Sequence, residues 1–135
     1  MKKLFSSRYT DNGIGFALLV LRLTSGILII HHGYQKLMHF TGMAAKMVDP
    51  FHIGHNASLA LSIFAELFCG AFIVMGLMTR LACIPLIINM SVALFLVHKG
   101  DSFGVGEPAS LFLGCFITLL FAGPGKVSLD RLISK

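Results

Sequence analysis

The chain has 135 residues, of which 56% are hydrophobic and only 13% are charged, whereas roughly 25% of the residues in a soluble domain are charged. This length fits a single domain over residues 1–135, and the composition excludes an ordinary soluble core because the apolar residues fall into long segments with a mean hydropathy of +0.83 for the whole chain. The net charge of +5 does not indicate nucleic-acid binding, because no basic face can be drawn on segments this apolar.

The first residues do not form a secretory signal. Lys2 and Lys3 are basic, but polar residues 6–12 follow at once, whereas a signal peptide places its apolar stretch directly after the basic residues and ends at a small-residue cleavage site. We therefore expect the first apolar segment to remain in the mature protein.

The first two apolar segments are long enough to cross a bilayer as helices. Residues 14–38 carry Arg22 as the only charge in their most apolar part, and residues 57–78 carry only Glu66. At 1.5 Å per residue the second segment is about 33 Å long, which exceeds the hydrocarbon thickness of about 30 Å. Both segments are predicted to be transmembrane helices.

The third and fourth segments are shorter. Residues 81–97 hold no charge, and Asn89 is their main polar residue. Residues 109–122 number only 14, a length that also fits a re-entrant segment, but Pro108 suits the first turn of a helix and the Gly-Pro-Gly of residues 123–125 ends one. The predicted fold class is therefore all-α, a four-helix transmembrane bundle.

The distribution of Lys and Arg predicts how the bundle lies in the membrane. A two-residue joint, Thr79-Arg80, makes the second and third helices antiparallel neighbours, so that both termini share one side. That side holds Lys2, Lys3, Arg8, Arg80, Lys126, Arg131 and Lys135, and the other side holds Lys36, Lys46 and Lys99. By the positive-inside rule both termini are cytoplasmic, and all six histidines fall on the outer side.

Two charged residues inside the predicted spans are the strongest pointers to function, because a charge at the bilayer centre costs about 2.5–3.5 kcal/mol. Counted from the inner helix ends, Arg22 lies about 12 Å deep and Glu66 about 18 Å deep, within reach of the long arginine side chain. We predict that they form a buried pair, which either only orders the helices or takes part in the chemistry.

A second group of polar residues gathers at the outer rim of the predicted bundle. At 100° per residue, Arg22, His32 and Lys36 share one face of the first helix, and His98 and Glu107 adjoin the outer loops. Imidazoles there can ligate a metal or haem, donate to a quinone carbonyl, or simply be solvated. No metal site is predicted, because the helical segments hold no histidine pair with ligand spacing.

Short motifs spread along nearly the whole chain carry a family resemblance. They are Leu21-Arg22-Leu23 with Gly26, His32-Gly33-Tyr34-Gln35-Lys36-Leu37, Ala65-Glu66-Leu67 with Gly70, Gly76-Leu77-Met78-Thr79-Arg80, Val97-His98, Glu107, Gly123-Pro124-Gly125 and Ser128-Leu129-Asp130. In this order they resemble the DoxX family of bacterial four-helix membrane proteins.

The resemblance implies a location in the bacterial inner membrane and four helices. The family is named for its similarity to the small membrane subunit of a thiosulfate:quinone oxidoreductase, and some members look like membrane parts of thiol and oxidative-stress complexes. Five residues match the family's polar positions: Arg22, Lys36, Glu66, Arg80 and Glu107.

Three functions are compatible with these features. The leading hypothesis is a quinone-interacting subunit of a membrane oxidoreductase complex, in which a partner redox protein supplies the electrons and the chain works in the lipid bilayer with that partner or as a homo-oligomer. Its candidate ligand-binding residues are Arg22, His32, Lys36, Glu66, His98 and Glu107. The second hypothesis is a non-enzymatic membrane scaffold or assembly factor. The third, a transporter, is disfavoured because the chain has no matching pair of interrupted helices.

Overall fold

The described part of the chain is built from helices. The computed structural model describes residues 6–135, and all the regular secondary structure in this range is helical. We number the helices α1 (Asp11–Met38), α2 (Phe40–Ala44), α3 (His55–Met75), α4 (Thr79–Val97), α5 (Glu107–Ala122) and α6 (Leu129–Ile133). The all-α prediction is confirmed.

Three of these helices are long and apolar enough to cross a membrane. α1, α3 and α4 have 28, 21 and 19 residues, and each contains an 18-residue stretch with a mean hydropathy of 2.1. α5 has 16 residues and is therefore only about 24 Å long, less than a typical hydrocarbon core. It packs along the length of α4 and also contacts α1.

The helix ends follow from local chemistry that the sequence displays. α1 begins three residues before the predicted segment because the Thr10 hydroxyl accepts a hydrogen bond from the Gly13 amide at 3.1 Å. Pro108 lies in the first turn of α5, where its missing amide hydrogen costs nothing. Gly123, with a φ of 82°, ends α5 as predicted.

The joint between α3 and α4 differs from the prediction. α3 ends at Gly76, which has a φ of 69°, and Thr79 already begins α4, so that Thr79-Arg80 forms the first turn of a helix instead of the joint. The carboxylate of Asp130 accepts the amides of Met78 and Thr79 at 2.5 and 2.9 Å. This residue caps α4 from 51 positions away in the sequence, which no local pattern can reveal.

Three glycines bring α1 and α3 close together. A β-carbon added to Gly26 would lie 2.6 Å from Val74 Cγ2, and one added to Gly70 would lie 2.9 Å from Ile29 Cγ2. A β-carbon on Gly33 would lie 2.8 Å from the β-carbon of Glu66. Small residues of this kind let helix backbones approach closely where no water is present to drive apolar association.

The two ends of the bundle are distinct. The start of α1, the α3–α4 joint and residues 123–135 meet at one end, which we call the terminal end; there Lys126 Nζ donates to Asn12 Oδ1 at 2.8 Å. Residues 39–54 and 98–106 lie at the other end, which we call the loop end. Lys2 and Lys3, which the sequence assigns to the terminal side, are outside the described residues.

Apolar side chains occupy both the inside and the outside of the bundle. The core draws on α1, α3, α4 and α5, with Ile73, Leu86 and Phe116 fully buried at its centre. Large apolar side chains such as Leu111 and Phe121 are at the same time more than two-thirds exposed. A helical protein that is apolar both inside and outside has a lipid-facing surface.

Candidate functional site

An ion pair lies between α1 and α3 in the half of the bundle near the loop end. Lys36 Nζ is 2.6 Å from Glu66 Oε1, with 22% of the lysine side chain and only 1% of the glutamate side chain exposed. Lys36 comes from the last turn of α1, and Gly33 leaves room for the glutamate side chain beside it. A carboxylate buried this completely needs a cation or other donors to stay charged.

Two further polar side chains complete this group. Lys36 Nζ also donates to Ser62 Oγ at 2.8 Å, and the amide of Asn89 on α4 donates to Glu66 Oε1 at 2.8 Å. Both donors to the carboxylate therefore use the same oxygen. The second oxygen, Oε2, is buried and has no hydrogen-bond partner within the described residues. We call Lys36, Ser62, Glu66 and Asn89 the polar cluster.

A cavity of about 220 Å³ lies beside the polar cluster, and we call it the Glu66 cavity. Its polar wall holds His32, Lys36, Glu66 and His98. The remaining wall is apolar and consists of Ile29, Met90, Ala93, Val105, Pro108, Ala109 and Phe112. A mostly apolar space with a few convergent polar groups is the usual form of a small-molecule site.

Two π-helical turns border this cavity. Ala65–Cys69 in α3 is π-helical and contains Glu66, and Ala93–Val97 in α4 is π-helical and contributes Ala93 to the wall. A π turn inserts a residue into the helix and changes the direction in which side chains point, and such turns occur frequently at functional sites. The π-helical turns of α3 and α4 both lie beside the Glu66 cavity, which supports its choice as the candidate functional site.

The structure brings four of the six candidate residues together. His32, Lys36, Glu66 and His98 all line the Glu66 cavity. The His32 ring meets the ring of Phe112 edge to face, with their centroids 5.7 Å apart, which fixes the imidazole against the apolar wall. Glu107 is exposed at the start of α5 and does not line the cavity, although its neighbours Pro108 and Ala109 do.

Arg22 lies away from this cavity, and the predicted pairing of Arg22 with Glu66 is wrong. The guanidinium is buried towards the terminal end, where Nε donates to the Ile73 carbonyl and Nη2 to the Val74 carbonyl, both at 2.9 Å. Nη1 donates to the carbonyls of Pro124 and Val127 at 2.7 and 2.6 Å. Arg22 thus ties the end of α3 to the C-terminal segment.

The direction of the helices explains why Arg22 and Glu66 do not pair. Side chains on an α-helix lean towards its N-terminus. α1 starts at the terminal end, so Arg22 leans towards that end and reaches the carbonyls of Ile73 and Val74 in the last turn of α3, where the negative end of the helix dipole favours a cation. α3 runs the opposite way, so Glu66 leans towards the loop end. The two side chains diverge, whereas Lys36 leans towards Glu66.

Ser62 and Asn89 contact Lys36 or Glu66 but are not among the six candidate ligand-binding residues predicted from the sequence. Ser62 precedes Glu66 by four positions and therefore shares its helix face, a signal that was present in the sequence. For metal binding, no group of three or more His, Cys, Asp or Glu side chains within residues 6–135 is suitably placed.

Comparison with known proteins places the chain among membrane proteins. The DoxX family model matches residues 17–99. The chain is 31% identical to an uncharacterized membrane protein, Rv3486, of Mycobacterium tuberculosis, over 88% of this chain and 82% of that protein. It is 29% identical to the inner membrane protein YphA of Escherichia coli, over 92% and 96% of the two chains, and 31% identical to the inner membrane protein YqjF of the same organism, over 87% and 92%.

No solved structure matches the chain significantly. The family match covers α3, α4 and α1 from residue 17 onwards, and so includes the whole polar cluster. The relatives are named as membrane or inner membrane proteins. The chain therefore belongs to the DoxX family and is a multi-pass protein of the bacterial inner membrane.

Proposed function

We propose that this protein is a quinone-binding subunit of a membrane oxidoreductase complex and that the Glu66 cavity holds the quinone head group. The observation that carries the proposal is the unpartnered oxygen of Glu66, buried beside an ammonium group in a cavity that is otherwise apolar. An unsatisfied buried acceptor calls for a donor, and its burial without one costs about 1–3 kcal/mol. A hydroxyl group on an apolar ring supplies that donor.

The donors and acceptors of the cavity suit both forms of a quinone. The carbonyl oxygens of the oxidised form accept hydrogen bonds, and Lys36 or an imidazole N–H of His32 or His98 can donate them. The hydroxyls of the reduced form donate, and Glu66 Oε2 can accept. The exchange of two electrons and two protons is the chemistry of the quinone itself, and a partner protein supplies the electrons.

The protein's own residues would then bind, orient and handle protons. Glu66 and Lys36 hold one end of the ring, Phe112 and the His32 ring pack against it, and Asn89 keeps the carboxylate in place through Oε1. The imidazoles of His32 and His98 both line the cavity, and a neutral imidazole carries one nitrogen that donates and one that accepts a hydrogen bond. They are the groups best suited to pass protons between the cavity and solvent.

The proposed function also requires a defined topology of the chain in the membrane. In our proposal the chain forms a single domain that crosses the membrane four times with both termini cytoplasmic, α5 being a short fourth span, so that the Glu66 cavity lies in the outer half of the bilayer. The charge asymmetry between the two sides supports this orientation. Single cysteines at Lys46 and Lys99 should react with an impermeant reagent in intact cells, and one at Lys135 should not; labelling at Lys135 from outside would overturn the orientation.

The test of quinone binding is a titration of the purified protein with a tail-less quinone while thermal unfolding is followed. A ligand at one hundred times its Kd stabilises the folded state by about 2.7 kcal/mol, which gives a measurable rise in Tm. We expect Lys36→Met and Glu66→Gln to weaken binding at least tenfold.

Matched controls distinguish site residues from their neighbours. His32→Ala should weaken binding, whereas His31→Ala should not, because His32 lines the cavity and His31 lies outside its wall. Glu107→Gln should also leave binding unchanged. If the wild-type protein gains no stability from any quinone and no quinone co-purifies with it, the proposal fails.

A scaffold or assembly role is the second candidate, and Arg22 is the observation that favours it. Every hydrogen bond that the Arg22 guanidinium donates goes to a backbone carbonyl. This buried charge therefore serves only to hold parts of the fold together. If the polar cluster serves the same purpose, Glu66→Gln with Lys36→Met will keep full activity of the complex in cells. Stable co-purification of a partner with this double variant would then identify the scaffold.

A further inference from the structure

A second cavity opens sideways between α3 and α4. It has a volume of about 320 Å³, and we call it the lateral cleft. Leu61 and Phe64 of α3 form one wall, Pro85 and Ile88 of α4 form the other, and Phe51 of the loop also borders the cleft. Leu61 and Ile88 are 54% and 48% exposed, so the cleft opens onto the outward-facing surface of the helices.

The cleft exists because α3 and α4 separate towards the loop end. Near their tight joint, the two helices pack against each other along the second half of α3, residues 65–75. The first half, His55–Phe64, packs mainly on α1 and α2 and has little contact with α4. The gap between the separated helices is therefore lined by apolar side chains that no neighbouring helix covers.

The lateral cleft and the Glu66 cavity are neighbours, because both share wall residues with one further cavity. A third space of about 300 Å³, the bridging cavity, lies between them. It shares Lys36, Ala93 and His98 with the Glu66 cavity. It shares Met47, Ser62, Asn89 and Val92 with the lateral cleft. Three of the four members of the polar cluster, Lys36, Ser62 and Asn89, therefore line the bridging cavity that lies between the apolar cleft and the Glu66 cavity.

We infer that the lateral cleft binds the apolar isoprenoid chain of the quinone and is the route by which the head group enters from the bilayer. This inference rests on the proposed function and adds to it a second subsite and a direction of entry. A ligand with a small polar ring and a long apolar chain matches a polar cavity that is joined to an apolar cleft opening towards lipid. The ring passes Asn89 and Lys36, and the chain remains between α3 and α4.

A phospholipid is the other occupant with a suitable apolar chain, and the geometry disfavours it. Its phosphate group is anchored at the water interface, whereas the polar side chains next to the cleft belong to the polar cluster around the buried Glu66 carboxylate. A neutral quinone ring has no such anchor at the interface.

The test compares two ligands that share one head group, a tail-less quinone and the same quinone with several isoprene units. Ile88→Trp fills the lateral cleft, and Ile84→Trp is its matched control, because Ile84 is on the same helix one turn away, is 46% exposed and lies outside the cleft wall. We expect Ile88→Trp to weaken binding of the tailed quinone at least tenfold and to change binding of the tail-less quinone less than twofold. Ile84→Trp should change neither.

Leu61→Trp gives an independent measurement from the opposite wall and replaces Ile88→Trp if that variant does not fold. Equal weakening of both ligands would overturn the inference, because it would mean that the substitution acts through Asn89 on the polar cluster. Unchanged binding of the tailed quinone would overturn it as well. Loss of a co-purifying phospholipid from Ile88→Trp, with tailed-quinone binding intact, would assign the cleft to lipid. If the wild-type protein binds neither quinone, the proposed function fails instead.

Discussion

Lys36 and Glu66 meet across the α1–α3 interface, with Lys36 Nζ 2.6 Å from Glu66 Oε1, and only the lysine retains contact with the outside. Because α1 and α3 are antiparallel, the two side chains lean towards each other from opposite directions. The pair is thus a product of helix direction and of the space that Gly33 leaves beside Glu66.

Breaking this pair should destabilise the protein. Removing one partner of a buried ion pair typically costs about 3–5 kcal/mol, and we expect Lys36→Met to lie at the lower end because part of the lysine is exposed. Combining it with Glu66→Gln should restore much of the loss, with a coupling energy of about 0.5–3 kcal/mol in a double-mutant cycle measured by unfolding in detergent. Combining it with Glu107→Gln should give additive effects. Additivity in the first cycle would contradict the pair.

Arg22 should stabilise the terminal end independently of Glu66. Arg22→Met leaves four carbonyls without their charged donor, and since each hydrogen bond to a charged group contributes about 1.5–3 kcal/mol, we expect a loss of at least about 3 kcal/mol and faster proteolysis within residues 123–135. Arg22→Lys should recover little, because an ammonium cannot span the same acceptors. Arg80→Met is the control, since Arg80 is exposed.

The same arginine provides a direct check on the corrected pairing. Arg22→Met and Glu66→Gln share no partner, so their effects on the free energy of unfolding should add to within about 0.5 kcal/mol. A double variant that is markedly more stable than this sum would restore the Arg22–Glu66 pair and contradict the contacts described above.

Gly33 should resist even the smallest side chain. A β-carbon at Gly33 would lie 2.8 Å from the β-carbon of Glu66, so Gly33→Ala must push α1 and α3 apart, at a cost of about 1–3 kcal/mol. It should also weaken quinone binding because Glu66 moves. Gly114→Ala in α5 is the matched control, since no atom lies within 4 Å of its added β-carbon. Equal Tm values for the two variants would show that the close helix contact does not exist.

The loop that borders the lateral cleft should loosen in acid. The pKa of the Asp49 carboxyl lies below its ordinary value, chiefly because the Ser58 hydroxyl donates to it at 2.8 Å and also because the amides of Gly54 and Ile53 donate to it. With the folded pKa below the unfolded value of about 3.9, its contribution is fully present above about pH 4 and is lost as the pH falls through the folded pKa.

Hydrogen exchange provides the measurement for this loop. We expect the Ile53 and Gly54 amides to lose protection below about pH 4, after correction for the intrinsic exchange rate, and Asp49→Ala to lose it at all pH values. Asp11→Asn, at the terminal end, should leave the profile unchanged. Protection that is equal at pH 3 and pH 7 in the wild type would show that the carboxylate does not hold the loop.

The sequence alone determined which parts of the chain are apolar helices, since that depends on composition along one segment. The four predicted segments agree with α1, α3, α4 and α5 to within three residues at each end, and Gly123 and Pro108 act where they were predicted to act. The angular spacing along α1 also placed His32 and Lys36 on one face, and both line the Glu66 cavity.

Only the tertiary structure decided which polar groups meet. The depths of Arg22 and Glu66 along their helices favoured a pair between them. Depth does not take into account that side chains lean towards the N-terminus of their helix, so that these two side chains point apart in antiparallel helices. The cap that Asp130 supplies to α4 comes from 51 residues away, and the gap that forms the lateral cleft depends on where α3 and α4 separate. Helix formation is a local property of a segment, whereas the partner of a buried charge depends on the direction and rotation of every helix around it.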